Sequence, residues 1–262
     1  MHIELVTREP NSSSKSTPIL FVHGMWHGAW CWEEHFLPYF ADNGYVAHAV
    51  DLRGHGASEG RERLRWSSIA DYVEDVVQVV RQIGGPPIVV GHSMGGMVVQ
   101  KYLEENPAPA GVLMAPAPPR GVLPTALRVL RRRPLAFAKT NLTLSMYPIV
   151  ATPELVREAF FSASIPDERL NGFAQRLQDD SYRAYWDMVI LNLPRTGKIT
   201  TPLLVLGAAD DAMFSRGQIE SAARIYGTQA HFFQNTAHDM MLEPSWQTVA
   251  DRILGWLNER GL

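Results

Sequence analysis

The most constraining feature of the chain is the hexapeptide Gly91-His92-Ser93-Met94-Gly95-Gly96, set directly after the apolar run Pro87-Ile88-Val89-Val90 and directly before a helical pattern that begins near Gly95. A serine held between a strand and a helix sits on a sharp, strained turn. The glycines on either side remove side chains that would collide with neighbouring backbone, and the hydroxyl is left standing above the sheet edge. A Gly-x-Ser-x-Gly string alone is weak evidence. Framed by a strand before and a helix after, it makes Ser93 a candidate nucleophile.

The rest of the chain supplies the architecture such a turn requires. Short apolar, β-branched runs at 19–22, 45–50, 88–90, 111–114, 203–206 and 231–233 read as strands, with a further one near the N-terminus joined through the polar link 11–16. Between 67 and 83, Ile69, Val73, Val76, Val77, Val80 and Ile83 keep the three-and-four spacing of one helix face, and Gly84-Gly85-Pro86-Pro87 ends it. Helices also fit 29–43, 95–106, 216–225 and 246–259. Strands alternating with helices predict an α/β fold: a mainly parallel, doubly wound sheet with helices on both faces.

The alternation stops after Met114-Ala115-Pro116 and resumes only at Leu203. Residues 1–117 and 201–262 therefore read as the core, and 118–200 as a helical lid or cap, with helical stretches around 124–132, 153–162 and 179–191 punctuated by Pro134, Pro148, Pro166 and Pro194. A block leaving the carboxyl end of a strand lies over the place where such sheets bind ligands. Its basic run, Arg128, Arg131, Arg132, Arg133 and Lys139, reads first as a solvated helix face, with contact to anionic substrate or lipid as the alternative.

Composition narrows the function classes. The 262 residues are 46% hydrophobic and 19% charged with a net charge of -3, the profile of a soluble globule with no positive field for nucleic acid. The N-terminus has no basic leader followed by an apolar stretch, and no segment reaches the ~18 to 20 continuous apolar residues of a membrane span, so the expected location is cytoplasmic without stable membrane insertion. The one cysteine, Cys31, lies between Trp30 and Trp32 and reads as packing. No metal or organic cofactor is called for, since metal-ligand spacings and the dinucleotide fingerprint are absent. Oligomeric state is not legible.

A serine hydroxyl needs a base to take its proton and a carboxylate to hold that base in the right tautomer. Among the histidines, His238 fits best, in the loop Asn235-Thr236-Ala237-His238-Asp239 between the last strand and the terminal helix. The acid belongs to the loop after 203–206, where Asp210 and Asp211 stand side by side.

With His23-Gly24, the loop Asp51-Leu52-Arg53-Gly54-His55-Gly56-Ala57-Ser58, the serine turn, the Asp211 loop and the His238 loop in this order, the chain resembles the α/β-hydrolase superfamily over essentially its whole length. The stretch His23-Gly24-Met25-Trp26-His27-Gly28-Ala29-Trp30-Cys31-Trp32 is similar to that of plant methylesterases and hydroxynitrile lyases, and the whole resembles lysophospholipase and monoacylglycerol-lipase-like bacterial esterases. The resemblance implies the α/β-hydrolase fold with the lid inserted after the sixth strand, and the chain order serine, acid, histidine. It favours Asp211 over Asp210, because Asp-Ala-Met-Phe-Ser follows the family pattern after the acid. It places the oxyanion donors at the backbone N–H groups of Met25 and Met94, with Trp26 as runner-up for the first, and it makes Gly24 and Trp26 part of the substrate pocket. Arg53 and His55 become members of a structural loop, and His23 a loop organiser.

The implied function is a serine-dependent carboxylic ester hydrolase acting on a small-molecule ester. Acylglycerols, methyl esters, thioesters and bulky lactones such as macrolides all stay open. A carbon–carbon hydrolase or hydroxynitrile-lyase-type enzyme with the same triad is the alternative, and a non-catalytic ligand receptor is the alternative from another class.

Overall fold

A computed structural model describes residues 1–11 and 15–262; residues 12–14 of the polar link at 11–16 thus lie outside the described residues. Seven strands form one sheet: β1 (Leu5–Arg8), β2 (Ile19–Val22), β3 (Ala47–Val50), β4 (Ile88–His92), β5 (Gly111–Met114), β6 (Leu203–Ala208) and β7 (Ala230–Phe233), in the spatial order β1-β3-β2-β4-β5-β6-β7. Only β1 runs antiparallel, pairing Leu5 with Val50. From β2 to β6 every strand residue is buried, which explains why these strands read as unbroken apolar runs rather than as alternation: helices cover both faces.

The neighbours β2 and β4 are not consecutive in the chain, so the direction of strand addition reverses between them, with Val22 opposite Gly91 in register. A crevice opens at the carboxyl ends of strands at such a reversal. The loops leaving β2, β4, β6 and β7 all emerge at that edge, and they are the loops that carry His23-Gly24, Ser93, Asp211 and His238.

Local chemistry accounts for most element boundaries. The helix Ile69–Ile83 begins in a capping box, Ser68 accepting from the Asp71 N–H at 3.1 Å while Asp71 accepts from the Ser68 N–H at 2.7 Å, and it ends on Gly84 in the left-handed conformation. The helix expected over 29–43 is instead two, Trp30–Glu33 and Phe36–Asp42. Pro38 is the reason: its ring clashes with the carbonyl four residues back in a helix interior but is tolerated in a first turn, so the helix restarts just before it. Behind the sheet edge, Phe21, Trp32, Phe36 and Phe40 pack ring against ring.

Between β5 and β6 lies the insertion, built from Leu123–Arg132, Pro134–Thr143, Pro153–Phe160, Asp167–Arg176 and Tyr182–Trp186, the last continued by a π-helical turn at Asp187–Leu191. Five strands rather than six precede it among the described residues, because the chain enters the sheet through the single antiparallel strand β1. Two of its helices were not expected. Pro134 and Pro166, which read as breaks, stand at the first position and at the N-cap of helices, positions where a missing N–H costs nothing. No helix among the described residues is long and apolar enough to cross a membrane.

Candidate active site

Ser93 sits at φ 53°, ψ -117°, a conformation that L-residues rarely adopt, at the join of β4 and the helix Met94–Tyr102. The flanking glycines make the turn possible. A Cβ on Gly91 would lie 2.4 Å from the Gly95 carbonyl oxygen, and one on Gly95 would lie 2.3 Å from the carbonyl oxygen of Val22 on β2. The strain at Ser93 is therefore held by backbone packed against backbone.

The hydroxyl faces His238: Ser93 Oγ lies 2.9 Å from His238 Nε2, and His238 Nδ1 lies 2.9 Å from Asp211 Oδ2. The other Asp211 oxygen accepts the N–H groups of Met213 at 2.7 Å and Phe214 at 2.9 Å, so the carboxylate is fixed by its own loop. Both ring and carboxylate are buried. Asp210 is exposed, its backbone N–H donating to the Thr236 carbonyl. A carboxylate at Nδ1 places the proton there and leaves Nε2 free to accept from the serine.

Opposite the hydroxyl, the loop after β2 brings Gly24 against Ser93, where a Cβ would meet His92 Nδ1 at 2.9 Å and Ser93 Cβ at 3.0 Å. Gly24 thus acts as a spacer and is not among the residues lining the neighbouring cavity, whereas Met25 and Trp26 are. The Trp26 N–H donates to Asp180 Oδ2 at 2.6 Å, which removes it as an oxyanion donor. Among the described residues no acceptor takes the N–H of Met25 or of Met94.

Four buried histidines hold these loops together. His23 accepts the Leu52 N–H on Nε2 at 3.1 Å and donates from Nδ1 to the Gly24 carbonyl at 2.8 Å, a pattern that needs the neutral ring; burial, helped by His55, lowers its pKa to about 3. His92 donates to the His238 carbonyl at 2.9 Å, and burial with the nearby His238 lowers its pKa to about 3. His27 and His55 behave oppositely. Each ring faces two acceptors, Met25 carbonyl and Asp239 for His27, Arg53 carbonyl and Asp180 for His55, and only an imidazolium donates from both nitrogens. Burial works against that charge, but the paired carboxylates outweigh it and raise both pKa values.

The loop from Asp51 to Ser58 is likewise structural: Asp51 accepts the Ala29 and Ala57 N–H groups, and Arg53 is clamped by Asp75 and Asp71. Cys31 is fully buried, with burial pushing its thiol well up. His92, His238 and Asp239 bring ligand-type atoms within 4.8 Å of one another, but both ring nitrogens of His238 already face Ser93 and Asp211. Sequence reasoning missed Asp180 and Asp239, which adjoin other residues of interest but carry no motif of their own.

The protonation pattern sets the acid stability. His23 and His92 stay neutral when folded but bind protons near pH 6.5 when unfolded, so the unfolded chain gains protons first as pH falls. Stability from these two groups is present above pH 6.5 and lost below it. His27 and His55, raised, are protonated in both states in that range, while Asp75 and Glu243, raised by burial, offset part of the loss and His35, His48 and His231, lowered by burial, add to it. Urea unfolding between pH 6 and 5 is expected to lose about 2 kcal/mol per pH unit; a flat profile would mean the folded state takes up these protons.

The cavity over Ser93 is lined by apolar side chains of the insertion and the β6 loop, among them Val122, Ala126, Phe137, Met188, Met213 and Phe214. Thr125 spends its hydroxyl on the Met213 carbonyl, while the buried Thr140 hydroxyl has no partner among the described residues.

A family model described as the alpha/beta hydrolase family matches residues 19–252. The chain is 34% identical over 90 residues to methyl jasmonate esterase 1 of Vitis vinifera, covering 34% of each protein. It is 27% identical over 240 residues to a monoacylglycerol lipase of Mycolicibacterium smegmatis, covering 85% of this chain and 81% of the lipase. Matches to the first plant esterases span only 34% to 41% of their length. The fold is shared with an esterase from Exiguobacterium antarcticum, at TM-score 0.74 and 18% identity over 98% of this chain and 95% of that one. It is shared equally with the monoacylglycerol lipase of Paleococcus ferrophilus, at TM-score 0.73 and 18% identity over 99% and 100%.

Proposed function

Since the chain belongs to the alpha/beta hydrolase family, we propose that it is a serine-dependent carboxylic ester hydrolase for apolar or bulky small-molecule esters, with Ser93 as nucleophile, His238 as base and Asp211 as the orienting carboxylate. The observation that carries this reading is the unbroken relay from Asp211 through His238 to Ser93, both steps at 2.9 Å, on the floor of an apolar cavity. Ser93 Oγ attacks the ester carbonyl carbon as its proton passes to His238 Nε2. The oxygen that becomes negative faces the N–H groups of Met25 and Met94, an arrangement usually worth several kcal/mol in the transition state. Collapse breaks the carbon–oxygen bond to the alcohol, which leaves with the proton from His238. Water, deprotonated by the same ring, then releases the acid and restores Ser93.

Residues 118–200 serve as the lid, since they wall the cavity from above. The lining favours a substrate recognised mainly by apolar surface, with the Thr140 hydroxyl as one fixed polar contact. Relatives named as a methyl jasmonate esterase and a monoacylglycerol lipase support an ester substrate.

The test is multiple-turnover hydrolysis of p-nitrophenyl esters of increasing chain length by the wild type and by Ser93→Ala, with fluorophosphonate labelling in parallel. Turnover and labelling should both disappear in the variant. Labelling without turnover of any ester, thioester or lactone would move the reading to carbon–carbon bond chemistry, and neither labelling nor turnover would leave a ligand receptor.

A further inference from the structure

The helix Leu123–Arg132 is apolar on two sides. Val122, Ala126 and Val129, spaced four and three apart, line the cavity, and Leu123, Leu127 and Leu130, one residue later in each turn, stand exposed to solvent. The next helix, Pro134–Thr143, repeats the arrangement, with Phe137 and Thr140 inward and Leu135 and Leu142 outward at 86% and 84% exposure. Five leucines on adjoining helices thus face water, although a chain of this size can bury its apolar side chains, and scattered single exposures are the ordinary case.

The same hairpin concentrates positive charge. Arg128, Arg131, Arg132, Arg133 and Lys139 fall within it, with Arg120 just before it, and no Asp or Glu occurs from 118 to 153, in a chain whose net charge is -3. Arg133 pairs with Glu158. Among the described residues Arg120, Arg131, Arg132 and Lys139 have no ion-pair partner. Long basic side chains beside an exposed leucine ridge are what a helix lying in a bilayer interface presents: apolar groups enter the acyl boundary while ammonium and guanidinium groups stay with lipid phosphates.

We propose that the hairpin formed by Leu123–Arg132 and Pro134–Thr143 docks this protein on the surface of an anionic phospholipid bilayer. Charge complementarity selects that occupant over a second copy of the chain, because a two-fold contact through this face would set its cations against their own equivalents. The hairpin lies on the bilayer and does not span it. Beside the hairpin, a depression lined by Arg128, Val129 and Arg132 shares Val129, Ile149 and Met213 with the cavity over Ser93.

The experiment is co-sedimentation of the full chain with vesicles of phosphatidylcholine alone and of phosphatidylcholine with an equal part of phosphatidylglycerol, at low and high salt. Binding to the anionic vesicles should be about tenfold tighter or more at low salt and should weaken as salt rises. The double variants Leu135→Glu/Leu142→Glu and Arg131→Gln/Lys139→Gln should each lose about tenfold in binding, with the urea midpoint unchanged. Because the readout is binding, it stands whether or not the protein proves to be an esterase. Equal binding to both vesicles, binding to neither, or concentration-dependent self-association abolished by the leucine variant would each overturn the proposal, the last assigning the face to a second copy.

Discussion

Asp211→Asn is expected to lower kcat by about four orders of magnitude, the scale seen when a triad carboxylate becomes an amide, while KM and folding stability change little. The argument is a count of acceptors. Asp211 uses one oxygen for the Met213 and Phe214 N–H groups and the other for His238 Nδ1. An amide has a single accepting oxygen, and two backbone donors outcompete one ring N–H for it. The amide NH₂ then points at His238 Nδ1, which must become the acceptor, and the ring proton moves to Nε2. In that tautomer the ring cannot take the Ser93 proton. The cavity is untouched, so binding survives. Asp210→Asn is the matched control, because Asp210 is exposed, and it should retain activity within about twofold. Steady-state kinetics on one soluble p-nitrophenyl ester decides the matter. A loss within tenfold at Asp211, or an equal loss at Asp210, would remove Asp211 from the mechanism.

The position of the candidate site is legible in the sequence because its pattern is local. Gly91, Ser93 and Gly95 lie within five residues, and their spacing reports a backbone approach that any side chain would block. The parallel strands were legible for a similar reason, since burial on both faces writes itself as β-branched runs. What stayed hidden depends on pairs distant in sequence. Trp26 read as a rival oxyanion donor because nothing in its own loop reveals that Asp180, 154 residues later, takes its N–H. Nor does anything adjacent to His27 or His55 in the chain reveal that the carboxylates of Asp239 and Asp180 pair with them. The insertion was the least legible part. A proline that opens a helix and one that ends it look alike in a string, and Pro134–Thr143 carries little amphipathic periodicity to announce it.

The second large effect is expected at Asp180, far in sequence from every motif. Three donors converge on its buried carboxylate: the Trp26 N–H at 2.6 Å, His55 Nε2 at 3.1 Å on the same oxygen, and the Ser181 N–H at 2.5 Å on the other. Asp180→Asn leaves one accepting oxygen for two sites. Either the Ser181 N–H or the Trp26 and His55 donors then face an NH₂ group, and His55 loses its counter-charge. Breaking one partner of a buried pair costs about 3 to 5 kcal/mol. Because His55 can shed its proton, the lower end of that range is expected in urea unfolding at pH 7. Trp26, at φ 66°, is held by this contact together with the Gln178 N–H to its carbonyl and its own indole N–H to the Met146 carbonyl, and its neighbour Met25 carries the proposed oxyanion donor. Release of Trp26 should therefore lower kcat about tenfold with little change in KM, on the scale of a weakened rather than a deleted oxyanion donor. His55→Gln, which removes the charge but keeps a donor toward Asp180, should recover part of the stability loss when combined with Asp180→Asn. A variant that loses stability with an unchanged kcat would make the Asp180 and His55 pair a structural staple alone. One that loses neither would show that the Asp180 carboxylate does not hold the loop that faces Ser93, leaving the Gln178 and Met146 contacts to Trp26 to do so.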